Sequence, residues 1–212
     1  MRVRRKSWTQ NELDTCTRLI TPNSANKGLW SEYFGNNNDI HAEIGCGKGR
    51  WITQSAALCP DCNFIALERQ RHVIVSGMRA SKELEPKPAF VVCDADELLD
   101  VFAAAELKRL YINFCDPWPR PRWQKRRLTH RGFLEIYETI LCPCGGLFFK
   151  TDNLPLFDWS LSEFKASRWI VENVSRNLYG DGVPDPCLMT EYEEKFFMKG
   201  MPIYRCEAYT RD

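Results

Sequence analysis

Apolar residues along the chain form two kinds of pattern. Short apolar runs bounded by turn residues are typical of buried strands, whereas apolar positions three and four residues apart indicate amphipathic helices. The first pattern predicts strands at residues 39–44, 63–67, 89–93, 109–114, 146–151, 169–175 and 203–210. The second predicts helices at residues 9–20, 29–34, 49–58, 70–84, 95–107, 131–141 and 154–167.

The order of these elements predicts the fold class. Strands and helices alternate from residue 39 to residue 167, which is typical of an α/β fold with a mostly parallel sheet. The strands are apolar throughout, so we expect helices on both faces of the sheet. The last two strands have no clear helix between them and are expected to pair antiparallel at one edge. Residues 176–202 join them as a long loop, and long loops in compact domains are usually functional or mobile.

The composition suits a single globular domain over residues 1–212. Of these residues, 44% are hydrophobic and 27% are charged, as in ordinary soluble domains. The net charge of +1 gives no overall attraction for a polyanion. The basic charge is nevertheless segregated, because residues 2–6 and 120–131 hold many arginines and lysines and no acid. We therefore expect a basic arm at about residues 1–8 and a basic loop at residues 120–131.

The ten cysteines raise the question of disulfides or metal. The basic start has no apolar stretch after it, and the chain has no run of about eighteen apolar residues. We therefore expect a cytoplasmic protein with reduced thiols and no membrane contact. Cys59-Pro-Asp-Cys62 and Cys142-Pro-Cys144 look like fragments of a zinc site. They lack paired knuckles and a nearby histidine, so we expect packed thiols and no metal.

An acidic residue stands at the end of each of four predicted strands. These acids are Glu43, Glu68, Asp94 and Asp116. Ligands of open parallel sheets bind beyond the carboxyl ends of the strands, so we expect the four carboxylates to surround one ligand. Gly45 and Gly47 follow the first acid in a turn where glycine lets the backbone approach a ligand closely. Four acids favour a positively charged nucleoside, which describes S-adenosylmethionine, over a pyrophosphate.

Two of these acids have expected roles from their positions. Glu68 lies 25 residues after Glu43, roughly where an acid grips ribose hydroxyls. Asp94 can reach the ribose or an adenine edge. Asp96 is the expected N-cap of the helix that follows.

Four blocks of the sequence resemble a known family. The blocks are "EIGCGKG", "NFCDPWPRPRWQKRRLT", "FFKTDNLPLFDWSL" and "MTEYEEKFFMKGMPIYR". In this order they are similar to the signature blocks of bacterial tRNA (guanine-N7-)-methyltransferases. The resemblance implies a Rossmann-like class I methyltransferase fold and S-adenosylmethionine as the cofactor. It also implies tRNA as the partner, with methyl transfer to N7 of a guanine in the variable loop.

The resemblance further implies roles for individual residues. The four strand-end acids match cofactor-binding positions, and Asp116 also matches the proposed catalytic acid. Substrate-binding positions match Arg120, Asp152, Thr190, Glu191, Tyr192 and Glu193. The basic loop is expected to contact tRNA phosphates through Arg122, Lys125, Arg126 and Arg127. Aromatic side chains that could stack on a displaced base are Trp118, Trp123 and Tyr192.

The sequence departs from the family pattern at two places. Arg120 stands where the family usually has lysine, and arginine binds a phosphate as a fork rather than as a point charge. The stretch "PRW" at 121–123 replaces a more common basic-histidine stretch.

Other readings stay open at this point. "DPWP" is similar to the D-P-P-[YFW] loop of amino-methyltransferases, although here Trp118 stands between the prolines. A nucleotide-dependent oxidoreductase would have G-x-G-x-x-G and no acid at position 43. A non-catalytic RNA-binding module would not need all four acids. The oligomeric state, monomer or homodimer, is also open.

Overall fold

The computed structural model describes residues 19–22, 26–83, 87–182 and 189–210 of the chain. The predicted basic arm and most of the predicted helix at 9–20 lie outside these ranges. The end of that helix prediction is wrong, because Leu19 and Ile20 form a short strand. This strand pairs in parallel with Phe90 and Val91, and a sheet partner outweighs the local helical pattern.

Within the described ranges, eight strands form one sheet. They are β1 (Leu19–Ile20), β2 (Asp39–Ile44), β3 (Cys62–Leu67), β4 (Ala89–Val91), β5 (Leu107–Asn113), β6 (Leu141–Thr151), β7 (Ile170–Ser175) and β8 (Tyr204–Tyr209). The strand order is β1-β4-β3-β2-β5-β6-β8-β7. Strand β8 pairs antiparallel with both β6 and β7, and the other pairs are parallel. The predicted mostly parallel sheet with an antiparallel edge is confirmed.

Helices connect the strands close to the predicted positions. They are Trp30–Phe34, Arg50–Leu58, Arg71–Ala80, Leu98–Val101, Arg131–Ile140, Leu154–Ala166 and Glu191–Phe197, with 3-10 turns at Ala95–Glu97 and Pro121–Arg126. Two predictions are wrong. The helix predicted at 95–107 ends at Val101, because the Glu106 carboxylate takes up the N–H groups of Ala103 and Gly28. The joining loop at 176–202 contains the helix Glu191–Phe197, which the prediction omitted.

The sheet is covered on both faces, as predicted. Along β3, Ile65 and Leu67 belong to one buried cluster, and Phe64 and Ala66 belong to another. Helices Arg50–Leu58 and Arg71–Ala80 supply apolar side chains to the Phe64 cluster. Helices Arg131–Ile140 and Leu154–Ala166 supply the other. No helix of the described residues has the length and apolar character needed to cross a membrane.

Candidate active site

The candidate site lies where the strand order changes direction. The chain runs from β2 outward to β3 and β4, then returns to β5 on the other side of β2. Such a switch point opens a crevice at the carboxyl ends of the strands. The structure has a cleft of ≈ 570 Å³ there. It is lined by the predicted cofactor residues Gly45, Glu68, Asp94 and Asp116, and also by Trp118, Lys125 and Arg126 of the segment after β5.

The glycine turn after β2 forms the near wall of the cleft. Gly45 has φ 73°, in the left-handed region that favours glycine, and a Cβ there would meet no atom within 4 Å. Gly49, also left-handed, lies against the helix Arg71–Ala80. A Cβ on it would be 3.0 Å from the Cα of Gly77. The turn is therefore open toward the cleft and tightly packed on its other side.

Glu43 lies beneath the cleft rather than in its lining. Its side chain is 3% exposed, and its Oε1 accepts a hydrogen bond of 2.9 Å from Nδ2 of Asn113, the last residue of β5. Among the described residues, Glu43 Oε2 and Asn113 Oδ1 are buried acceptors without a hydrogen-bond partner. Burial raises the pKa of the Glu43 carboxyl to about 7, against the opposing effects of the Asn113 bond and the Lys150 charge.

Glu68 and Asp94 are held by backbone groups at the cleft edge. The Glu68 carboxylate accepts hydrogen bonds from the N–H groups of Gly47 (3.2 Å) and Gln70 (2.9 Å), which ties the glycine turn to β3. Asp94 caps the 3-10 turn that follows it, with its side chain accepting from the Ala95 N–H. The predicted cap was Asp96, and this prediction is wrong because the turn begins at Ala95, two residues earlier than a cap at Asp96 requires.

Asp116 projects from a constrained segment after β5. Its side chain is 70% exposed and lines the cleft. Phe114 and Trp118 on either side of it have φ values of 56° and 41°, which are strained for residues other than glycine. The guanidinium of Arg69 lies between two acids, 3.9 Å from Asp94 and 4.0 Å from Asp116.

The basic loop surrounds two tryptophans. Trp118 and Trp123 meet edge to face at 5.8 Å. The guanidinium of Arg126 lies 5.0 Å from the Trp118 ring, and those of Arg120 and Arg122 lie 4.8 and 5.2 Å from the Trp123 ring. These three arginines and Lys125 are exposed. They are placed where a polyanion can reach them.

Arg127 differs from its neighbours. It is 7% exposed, and its Nε and Nη2 groups donate to the backbone carbonyls of Pro117 and Trp118. The prediction that Arg127 contacts a phosphate is at odds with this placement, because a buried guanidinium with internal partners cannot reach RNA without leaving them.

The predicted substrate residues near the C-terminus form a helix cap and its first turn. Thr190 and Glu193 form a reciprocal capping box. Glu193 is 0% exposed, and its carboxylate also binds the Lys150 ammonium at 3.0 Å. Glu191 lies 3.5 Å from Lys48. Tyr192 is 54% exposed and stacks on Phe114 at 6.0 Å.

Asp152 follows β6 and is half-buried. The pKa of the Cys115 thiol is raised by burial, by the charge of Asp116 and, to a smaller extent, by the charge of Asp152. Asp152 therefore lies near the segment that carries Asp116. The predicted cofactor and substrate residues therefore converge on one end of the sheet.

Sequence reasoning missed several residues of this site. Asn113 and Lys150 lie side by side in the register of β5 and β6 and contact the buried acids Glu43 and Glu193. Gly77 packs against the glycine turn. The spacing of Thr190 and Glu193 is that of a capping box, and it could have predicted the helix Glu191–Phe197. The other contacts had no local signal.

The ten cysteines form no recognisable metal centre in the described part. Eight of them are described and all eight are free thiols. Within the described ranges, no group of three or more histidine, cysteine, aspartate or glutamate side chains could hold a metal ion.

Comparisons with known proteins place the chain among methyltransferases. Residues 37–206 match a family model described as a putative methyltransferase. The chain is 44% identical to a tRNA (guanine-N(7)-)-methyltransferase of Clostridioides difficile (strain 630), over 100% of both chains. It is 42% identical to the protein of that name from Bacillus subtilis (strain 168), also over 100% of both.

Solved structures support the fold. The 16S rRNA methyltransferase KamB matches with a TM-score of 0.62 at 11% identity, covering 87% of this chain and 94% of that chain. The antibiotic-resistance methyltransferase Kmr matches with a TM-score of 0.57 at 17% identity, covering 85% and 91%. At these identities the likeness concerns the fold alone, which is of the Rossmann-like class I methyltransferase type.

Proposed function

The chain belongs to the tRNA (guanine-N(7)-)-methyltransferase family, and we propose that its cleft binds S-adenosylmethionine and a guanine of the tRNA variable loop. The family membership makes it a methyltransferase acting on N7 of a guanine in tRNA. Family membership therefore favours N7 methylation of guanine over the amino-methyltransferase, oxidoreductase and non-catalytic alternatives. The proposal concerns which residues of the cleft bind the cofactor and which bind the RNA.

The acids of the cleft suit S-adenosylmethionine. Glu43 Oε2 and Asn113 Oδ1 are buried acceptors that lack a donor among the described residues, and an ammonium group supplies such donors. Glu68 and Asp94 offer carboxylate oxygens for ribose hydroxyls and an adenine edge. Gly45 and Gly47 place no side chain at their own positions in the turn between β2 and the helix Arg50–Leu58. When bound, the cofactor supplies an electrophilic methyl group on a sulfonium.

We propose that Asp116 acts as an electrostatic stabiliser. Guanine N7 has a free lone pair, so no proton must be removed from it before it accepts a methyl group. Positive charge then develops on the guanine, and a carboxylate already in place lowers the free energy of that transition state. Asp116 is exposed in the cleft, with only the distant Arg69 guanidinium as an ion-pair partner in the described chain. We infer electrostatic stabilisation rather than general-base catalysis.

The guanine edge presents N1–H and amino donors. Asp152 is the better placed acceptor, because the Glu193 carboxylate already binds Lys150 and the Thr190 N–H. Tyr192 is exposed beside Phe114 and offers a ring on which a displaced base can stack. Thr190 and Glu191 then serve the site by forming the start of the helix that carries Tyr192.

The exposed cations of the basic loop are proposed to bind tRNA phosphates. They are Arg120, Arg122, Lys125 and Arg126, and the last two also line the cleft. Phosphate contacts position the RNA and make its binding weaken with salt. We further propose that the protein acts in the cytoplasm, as a monomer or homodimer.

One observation carries the proposal: strand-end acids and basic-loop cations line the same cleft. The test is methyl transfer from S-adenosylmethionine to unmodified tRNA, followed by nucleoside analysis and mapping of the modified base. The expected product is N7-methylguanine at one position of the variable loop. Methylation of an exocyclic nitrogen, or of another region of the tRNA, would contradict the proposal.

A further inference from the structure

We propose that Arg127 is a positioning residue that holds the segment carrying Asp116, and that it does not bind phosphate. This inference rests on the proposed function, since it concerns how Asp116 is presented to the reaction. It assigns different tasks to two adjacent arginines of the basic loop. Arg126 faces the RNA side, and Arg127 faces the protein interior.

The Arg127 guanidinium makes two hydrogen bonds to consecutive carbonyls. Its Nε donates to the Pro117 oxygen at 3.0 Å, and its Nη2 donates to the Trp118 oxygen at 3.1 Å. The guanidinium carbon lies 4.4 Å from the centre of the Trp159 ring, on the helix Leu154–Ala166. The fork of donors therefore joins the Asp116 segment to a rigid element of the core.

Burying the Arg127 guanidinium costs free energy unless its N–H donors are hydrogen-bonded and its charge is compensated. Burial lowers the pKa of the Arg127 guanidinium, and the charge of Glu163 opposes that effect. The Glu163 carboxylate is itself bound by Arg131 at 2.8 Å. The carbonyls of the Asp116 segment and the face of Trp159 thus supply much of the compensation. Arg127 therefore stabilises the backbone at Pro117 and Trp118.

The segment needs such support because its backbone is strained. Phe114 and Trp118 both have positive φ values, and residues other than glycine hold such backbone conformations only where the surrounding structure supports them. The Phe114 end is held by its N–H, which donates to the Lys150 oxygen at 2.9 Å. The Trp118 end is held by Arg127. Asp116 lies between these two anchors, and within the described ranges the ion-pair partner of its side chain is the Arg69 guanidinium, at 4.0 Å.

The two arginines act on the same tryptophan from different sides. Arg126 is exposed and lies over the Trp118 ring, whereas Arg127 binds the Trp118 carbonyl. Loss of the Arg127 fork should leave the exposed cations in place and release the backbone next to Asp116. The expected defect is in the chemical step, because a misplacement of about 1 Å can cost on the order of 100-fold in rate.

The test compares Arg127→Lys with Arg126→Ala and with a control. Lysine keeps the charge and removes the fork. For Arg127→Lys we expect the single-turnover rate at saturating tRNA and cofactor to fall at least about ten-fold. The dissociation constant for S-adenosylmethionine should stay within about two-fold of the wild type. The slope of tRNA affinity against salt concentration should keep its wild-type value. Arg126→Ala should instead weaken tRNA binding and flatten its salt dependence.

The control variant is Arg176→Lys. Arg176 also lies over an aromatic ring, at 5.7 Å from Phe157, and pairs with Asp158, so its replacement should leave the rate unchanged. Hydrogen exchange supplies a readout that does not need activity. In Arg127→Lys the amides of Cys115, Asp116 and Trp118 should exchange faster, while those of β5 keep their wild-type rates.

Two outcomes would overturn the inference. A wild-type saturated rate in Arg127→Lys, together with wild-type amide exchange at Cys115, Asp116 and Trp118, would show that the fork does not hold the segment. A melting temperature, cofactor affinity and rate that all fall together would make it a general structural residue. If wild-type protein itself does not methylate guanine N7, the proposed function fails, and the exchange measurement still decides whether Arg127 holds the segment.

Discussion

The ammonium of Lys150 lies 3.0 and 3.2 Å from the two carboxylate oxygens of Glu193. The Glu193 side chain is 1% exposed and that of Lys150 is 15% exposed. The same carboxylate accepts the N–H of Thr190 at 3.1 Å and closes the capping box. Glu193 therefore fastens the helix Glu191–Phe197 to β6.

Replacement of Glu193 by alanine should lower the free energy of unfolding by up to about 3–5 kcal/mol, because it leaves the largely buried Lys150 cation unpaired. Removing both charges, in Lys150→Met with Glu193→Leu, should cost clearly less than either single change. Urea denaturation of Glu193→Ala, of Lys150→Met and of the double variant measures this. A Glu193→Ala protein of wild-type stability that has lost only tRNA binding would instead indicate a guanine contact.

Asp116→Ala should lose most of its turnover while it keeps much of its affinity for S-adenosylmethionine. The loss is expected at about 100-fold or more, the usual size for one preorganised electrostatic group. Single-turnover methylation and equilibrium binding of the cofactor measure the two quantities separately. Asp100→Ala, at an exposed acid of the helix Leu98–Val101, is a control that should turn over normally. Turnover near the wild type in Asp116→Ala would contradict the assignment.

Cofactor binding should strengthen as pH rises toward neutrality. The Glu43 carboxyl has its pKa raised to about 7 by burial, and an ammonium partner requires its ionised form. Between about pH 6 and about pH 7.5, the dissociation constant should fall roughly eight-fold as the ionised fraction grows. Calorimetric titration across this range measures the effect, and Glu43→Gln should remove the Glu43-dependent part.

The Glu43 carboxyl should also make the stability of the folded protein fall as pH rises. Its pKa in the folded protein lies above the ordinary value of 4.5, so the folded state holds a proton that the unfolded state has released. The stability it contributes is fully present below about pH 4.5 and is lost as pH rises through about 7. The free energy of unfolding of Glu43→Gln, relative to the wild type, should therefore grow across that window.

The basic loop should control the salt dependence of tRNA binding. Each phosphate contact contributes roughly 0.7–0.9 to the slope of log affinity against log salt concentration. Single alanine replacements of Arg122, Lys125 and Arg126 should each reduce the slope by about that amount. Filter-binding titrations at several salt concentrations measure it. Unchanged slopes in all three variants would exclude this loop from the RNA interface.

Gly77→Ala should weaken cofactor binding although Gly77 is outside the glycine turn. A Cβ there would lie 2.8 Å from the Lys48 oxygen and 3.1 Å from the Gly49 Cα, so the turn must move. Alanine favours the helix by about 1 kcal/mol, and Ser76→Ala is the control for helix propensity alone. A larger dissociation constant only in Gly77→Ala supports the packing role, and an unchanged one opposes it.

The chain order of strands and helices followed from the sequence because the underlying signals are local. The apolar run of residues 63–67 and the helical spacing of residues 154–167 each depend on neighbouring positions alone. Parallel strands also point the same way, so the acids Glu68, Asp94 and Asp116 had to appear at one edge of the sheet. The fold class and the approximate place of the site were predictable for this reason.

Only the tertiary structure decided which of these side chains face the cleft. Arg126 and Arg127 are adjacent and chemically identical, yet one is exposed and the other is buried against Trp159. Glu193 was expected to be a substrate-binding residue, and the structure pairs its carboxylate with Lys150. The partners of Arg127 and Glu193 come from other elements, and the choice between solvent and a buried partner depends on long-range packing. Local sequence patterns do not contain that information.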